Sequence, residues 1–227
     1  MVMLGDFPVE IKRHIRSKRM KLRYDAANDC AIITMPPRAK DKDAFKFAKE
    51  HLPWLEKQRM MAPEVRYLAP DQVIPYLGVE RTIIHDPDKS ARVLITEDEI
   101  IVGGRTEGFS VRLENHLKKE ARKIIEPIAY DMADIINKKF KRIHIRDTKS
   151  RWGRCSSSGT ISFSWRLIMT PPEILEYVVA HEIAHLKEMN HSAAFWRVVD
   201  ELVYDAKISR KWLKNEGQDL MLITHEQ

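Results

Sequence analysis

Polar and apolar residues alternate along Arg19-Met20-Lys21-Leu22-Arg23-Tyr24, the period-two pattern of a half-buried strand. Residues 25–29 are turn-like, and 31–35 return as an apolar run stopped by Pro36-Pro37, so the two runs predict a hairpin. Residues 41–60 place Phe45, Ala48, Leu52 and Leu55 at helical spacings, with a break or kink expected at Pro53. Short β-branched runs at 81–84, 92–96 and 100–102 predict more strands, closed by Gly103-Gly104. From 110 to about 140 the stripe of Val111, Leu113, Leu117, Ala121, Ile125, Ile128, Met132 and Ile135 predicts a helix, kinked or broken at Pro127. A short strand at 141–146 and a polar loop at 148–159 follow. Ile161-Ser162-Phe163-Ser164-Trp165-Arg166-Leu167 then alternates strictly and is the clearest strand pattern in the chain. The fold class is α+β: a β-rich part, 1–107, and a mixed part, 108–227, with one continuous domain over about 17–222 as the alternative.

Composition narrows the class. The 227 residues are 44% hydrophobic and 32% charged, which excludes collagen-like and wholly disordered chains. No apolar run approaches the roughly 20 residues of a membrane helix, and residues 1–10 lack a signal pattern. Cys30 and Cys155 alone cannot build a disulfide framework, so a cytoplasmic location is expected. The net charge of +6 conceals two basic segments. Residues 12–23 carry seven Lys/Arg and no acid; residues 138–154 carry eight and one acid, so each is +7 and the remainder is −8.

The chemistry lies in one helix. Thr170-Pro171-Pro172-Glu173 reads as a capping box with Thr170 as N-cap. Beyond it, Ile174, Val178, His181 and His185 fall within roughly a 60° sector of the helix. Two imidazoles on an apolar face are costly without a shared partner, and a metal supplies one. His181-Glu182-Ile183-Ala184-His185 is the H-E-x-x-H pattern, whose i, i+4 spacing lets both rings reach one ion at about 2.0–2.1 Å. Glu182 beside them is the candidate general base for a water whose pKa zinc lowers toward about 7.

Two candidates exist for the third ligand. His191 requires the chain to turn back after the helix, with Asn190 as a left-handed cap and Ser192 capping the next helix. The rival is Glu201 with Asp205, but Glu201 falls opposite the apolar stripe of Phe195, Trp196, Val198, Val199 and Leu202 and is expected to face solvent. His191 is preferred. Three ligands leave a coordination position open for catalysis, and imidazole ligands suit zinc. Around this centre, the strand at 161–167 is either an edge that pairs with an extended peptide or an internal strand. Arg151, Trp152 and Arg154 could line a substrate path, Trp152 equally being a packing residue, and Gly153 suits a turn. Tyr204 and His144 are candidate oxyanion donors.

The string Tyr177-Val178-Val179-Ala180-His181-Glu182-Ile183-Ala184-His185-Leu186, with Asn190-His191-Ser192, Phe195-Trp196 and the upstream Ser150-Arg151-Trp152-Gly153-Arg154-Cys155-Ser156, resembles the YgjP-like metallopeptidase family. The resemblance implies a zincin-like catalytic half, one zinc ion on His181, His185 and His191, Glu182 as catalytic base, and a peptide or protein substrate. Related families with this layout include the Wss1-like and SprT-like proteases that act on DNA-bound proteins. Arg154 departs from the Ser expected there, and Glu188 stands where the similar metzincin string has Gly. Two other readings accompany this one. The resemblance also brings a metal-dependent nucleotide pyrophosphatase acting on UTP, although no Gly-rich phosphate cradle is visible. The basic segments 12–23 and 138–154 support a nucleic-acid-associated substrate, or a metal-stabilised nucleic-acid-binding module.

Overall fold

The computed structural model describes residues 2–62, 64–148 and 150–225. The chain divides into two compact units, Met1–Val65 and Arg66–Gln227. Unit 1 opens with strands β1 (Val2–Leu4), β2 (Phe7–Arg13), β3 (Lys21–Asp25) and β4 (Cys30–Met35), in the sheet order β1-β2-β4-β3. The expected hairpin is β3 with β4, antiparallel from Lys21↔Thr34 to Asp25↔Cys30. It turns through a short 3-10 segment, and Asp29 takes a left-handed φ of 43° that a short polar side chain tolerates. β4 is buried because it is central, flanked by β2 and β3. Helices α1 (Asp41–Glu50) and α2 (Leu52–Met61) meet at His51. Pro53 falls in the first turn of α2, where its missing N–H has no intrahelical acceptor to lose. Phe7, Val9, Ile33, Met35, Ala44, Ala48 and Leu55 form this unit's core.

Unit 2 begins with β5 (Arg66–Tyr67), β6 (Val73–Tyr76), β7 (Val79–Asp86), β8 (Val93–Ile95) and β9 (Glu99–Gly103), the last four forming a sheet ordered β6-β7-β9-β8. Helix α3 (Phe109–Ile135) passes through Pro127 unbroken. Leu113, Leu117, Ala121, Ile125, Ala129 and Met132 bury one continuous stripe on both sides of the proline, and that packing outweighs one lost hydrogen bond. The second sheet consists of β10 (Arg142–Arg146), β11 (Gly153–Cys155) and β12 (Thr160–Ser164), ordered β10-β12-β11. β12 is therefore internal, parallel to β10 and antiparallel to β11, and β11 is an edge.

The alternating run does not stay extended to Leu167. From Trp165 to Met169 it coils into a 3-10 turn, buried at every position. Arg166, a polar position of that alternation, is fully buried. It pairs with Asp147, donates from Nε to the Ile223 carbonyl at 2.8 Å, and lies 4.6 Å from the Trp165 ring. The chain finishes with α4 (Pro172–Ala184), α5 (Ala193–Leu202), α6 (Ala206–Asn215), α7 (Gly217–Leu220) and β13 (Ile223–Thr224), which pairs in parallel with β5. One core spans the unit, from Ile83 and Ile100 through α3 to Phe163, Val179 and Phe195. The β6–β7 hairpin tip, with Leu77 and Gly78 at φ 51° and 79°, donates its amides to the Ile168 and Met169 carbonyls just before α4. Among the described residues no helix is long and apolar enough to cross a membrane.

Candidate metal centre

α4 is hydrophobic nearly all round and buried accordingly. Its start differs from the expected capping box. Pro171 is the N-cap without a side-chain bond, and the buried Thr170 hydroxyl donates instead to the Leu167 carbonyl at 2.9 Å. The Thr170 amide donates to the same carbonyl at 3.1 Å, so both donors of Thr170 close the preceding 3-10 turn and its hydroxyl is not free to cap α4. At the other end the helix tightens: the amides of Leu186 and Lys187 bond back to the carbonyls of Ile183 and Ala184, and Glu188 also reaches Ala184. This winding reverses the chain without a left-handed residue, so Asn190 does not act as a left-handed cap. Its Oδ1 accepts from the Ser192 amide at 3.1 Å, and Ser192 in turn caps α5 through the Phe195 amide, as expected.

The reversal brings His191 back over α4. One ring nitrogen from each of His181, His185 and His191 lies within 4.8 Å of the others. His181 Nε2 and His191 Nε2 are 3.1 Å apart. Donors about 2.0–2.1 Å from a tetrahedral ion stand roughly 3.3 Å from one another, so the cluster has the dimensions of a chelate. Its remaining nitrogens are engaged from outside. His185 Nδ1 lies 3.0 Å from the Glu188 carbonyl, and His181 Nδ1 lies 3.4 Å from the Tyr177 hydroxyl. Such outer bonds select the tautomer that turns Nε2 inward. Burial, the other two histidines and Arg210 push the His181 imidazole down to about 4, so it is neutral with its lone pair available. Chemically and geometrically, the three histidines fit a divalent transition metal.

Phe195 forms the floor, its ring centroid 5.0, 4.6 and 4.8 Å from those of His181, His185 and His191. Trp196 stacks on the exposed His191 ring at 5.9 Å, and the Arg210 guanidinium sits 4.4 Å from the Trp196 ring. The sequence places Phe195 and Trp196 on an apolar stripe but carries no signal that the stripe meets the imidazoles.

Glu182 is 5% exposed, and burial raises its carboxyl to about 7 against the opposing pull of the Cys155 amide and Arg151. Its carboxylate lies against β11. A Cβ built on Gly153 would stand 2.5 Å from Glu182 Cγ and Oε1, so this strand position admits only glycine. Gly153 thus allows close approach within a strand; it does not form a turn. A cleft of about 520 Å³ joins the histidines and Glu182 to Ser150, Arg151, the whole of β11 and Met189. Trp152 packs against Gly217 in the core. Tyr204, 99% exposed, and His144 on β10 do not line the cleft. Glu201 is exposed, and Asp205 caps α6; neither joins the histidine cluster.

A family model described as "YgjP-like, metallopeptidase domain" matches residues 18–216. Among solved structures, the crystal structure of the metallopeptidase zymogen of Pyrococcus abyssi abylysin is 29% identical, covering 40% of this chain and 95% of that chain with a TM-score of 0.36. No curated protein matches. The family match spans most of both units and contains the three histidines, Glu182 and β11, and on that extent the chain belongs to the YgjP-like metallopeptidase family.

Proposed function

We propose that the chain is a zinc-dependent peptidase in which His181, His185 and His191 hold the ion and Glu182 is the general base. The observation that carries this reading is the convergence of three ring nitrogens beside one buried carboxyl at the floor of an open cleft. When bound, zinc supplies Lewis acidity toward the scissile carbonyl and lowers the pKa of a water. Glu182 takes the proton from the attacking water at a carboxylate oxygen and delivers it to the departing amide nitrogen. A group raised to about 7 suits both halves of that transfer near neutral pH. The free edge of β11 pairs with an extended peptide main chain, and Arg151 and Arg154, both exposed on the cleft, flank its side chains.

The basic segments 12–23 and 138–154 recruit nucleic-acid-associated protein substrates, since both present cations at the surface. The two free cysteines accord with a reducing compartment such as the cytoplasm. Metal analysis of purified variants tests the ligand set. His191→Ala loses most of its zinc, whereas Glu201→Ala retains it; the reverse result removes His191 from the site. Peptide hydrolysis and pyrophosphate release from UTP are assayed in parallel, each with and without chelator. Chelator-sensitive UTP hydrolysis in a protein inert toward peptides overturns the peptidase reading.

A further inference from the structure

Unit 1 has fourteen basic and nine acidic residues, so +5 of the chain's +6 resides in its 65 positions. A groove of about 500 Å³ opens on this unit beside β3. Arg19 and Lys21 line it together with Phe47 of α1, His51 at the junction and Trp54 of α2, and among the described residues no acidic one does. Both cations are exposed, and among the described residues neither has an ion-pair partner. His51 and Trp54 are exposed too, and Phe47 is half-buried. Trp54 keeps 41% of its surface in water, and the His51 ring lies 4.4 Å from that of Phe47, with Nδ1 bonded to the Phe47 carbonyl at 2.8 Å. Flat apolar faces beside uncompensated cations complement a ligand with π-faces carried on an anionic backbone.

We propose that this groove binds single-stranded nucleic acid, with bases stacked on Trp54 and the His51–Phe47 pair and phosphates held by Arg19 and Lys21. The proposal rests on the reading that segment 12–23 meets nucleic acid, and it names the place and the strandedness. A duplex hides the faces of its bases and cannot use the rings. An acidic peptide satisfies the cations but leaves the aromatic wall without a partner.

The test is fluorescence anisotropy of the full chain with a labelled single-stranded oligonucleotide, as DNA and as RNA, and with the matching duplex. Single strands are expected to bind at least tenfold tighter than duplex, with affinity falling steeply as salt rises. Trp54→Ala weakens single-strand binding about tenfold or more, and Trp54→Phe restores part of it. Arg19→Glu with Lys21→Glu weakens binding and flattens its salt dependence. Circular dichroism and thermal melting verify that each variant is folded. Equal binding of duplex, or single-strand binding indifferent to Trp54→Ala, overturns the groove and leaves the broader reading of segment 12–23 standing. Equal competition by polyglutamate also overturns the groove, in favour of an acidic protein partner. Absence of binding to any nucleic acid overturns both.

Discussion

The cleft in unit 2 and the groove in unit 1 are close in volume, about 520 and 500 Å³, and opposite in construction. In the cleft the carboxyl and two of the three imidazoles are withdrawn from water, wholly or in part, while Arg151, Arg154 and His191 stay exposed. Glu182 is 5% exposed and His181 is half-buried, and burial moves both proton affinities by more than any neighbour does. In the groove the cations, His51 and Trp54 stay in water, and only Phe47 is half-buried. A buried group changes its protonation state on small local demands, which suits chemistry. An exposed cation keeps its charge and acts over about 8–10 Å before salt screens it, which suits recruitment. On the proposed readings, one unit transforms and the other holds.

The largest expected effect falls on the buried carboxyl. Glu182→Gln lowers peptide hydrolysis about 10²- to 10⁴-fold while zinc content stays unchanged. Persistent turnover in that variant breaks the comparison, because the cleft would then work without its proton carrier. Next come the aromatic supports. Phe195→Ala removes the floor beneath three imidazoles and costs about 3–5 kcal/mol of stability, whereas the exposed Trp54→Ala costs about 0.5 kcal/mol or less. Denaturant titration of the two variants measures the contrast. Gly153→Ala drives a methyl into the Glu182 carboxylate and is expected to lower turnover about 10²-fold with the metal retained. Rates equal to the parent's would show that Glu182 is not held against β11 during the reaction.

The smallest test concerns a place where unit 1 behaves like the cleft. Burial, and then its bond to Asp29 at 2.7 Å, push the Tyr24 phenol up to about 12, while Arg59 pairs with the same carboxylate. A raised pKa stabilises the fold fully below the ordinary phenol value near 10 and loses that contribution as pH climbs through about 12. Phenolate absorbance should therefore show one late-titrating tyrosine that is absent from Tyr24→Phe, and the variant's melting temperature should fall less steeply over that pH range.

The centre was the most legible part of the chain. Helical spacing alone puts His181 and His185 on one face, and the outward angle of Glu201 already disfavours it as a ligand. The hairpin, the α1–α2 break and the Ser192 cap are equally local and can be read from a few neighbouring residues. What escaped depends on distant partners. Arg166 counts as polar in any periodicity, yet Asp147 and the Ile223 carbonyl bury it and end the strand early. β11 is three residues long, Gly-Arg-Cys, too short to show a period, so no pattern announces it as the edge beside the site. Gly153 has its meaning only opposite Glu182, nearly thirty residues on. Pro127 misleads in the other direction, since its local rule yields to a stripe packed along the whole of α3.

The pairing of β13 with β5 sets an order in time. Residues 66–67 find their strand partner only at 223–224, and the Ile223 carbonyl is also the acceptor for Arg166 Nε in the turn preceding α4. A chain made from its N-terminus therefore completes every helix of the catalytic unit before the clasp that secures the turn preceding α4 exists. Contacts of such sequence separation close late in folding. The turn that leads into α4 is thus secured by a contact between segments more than 150 residues apart, and it gains its last acceptor only when they meet.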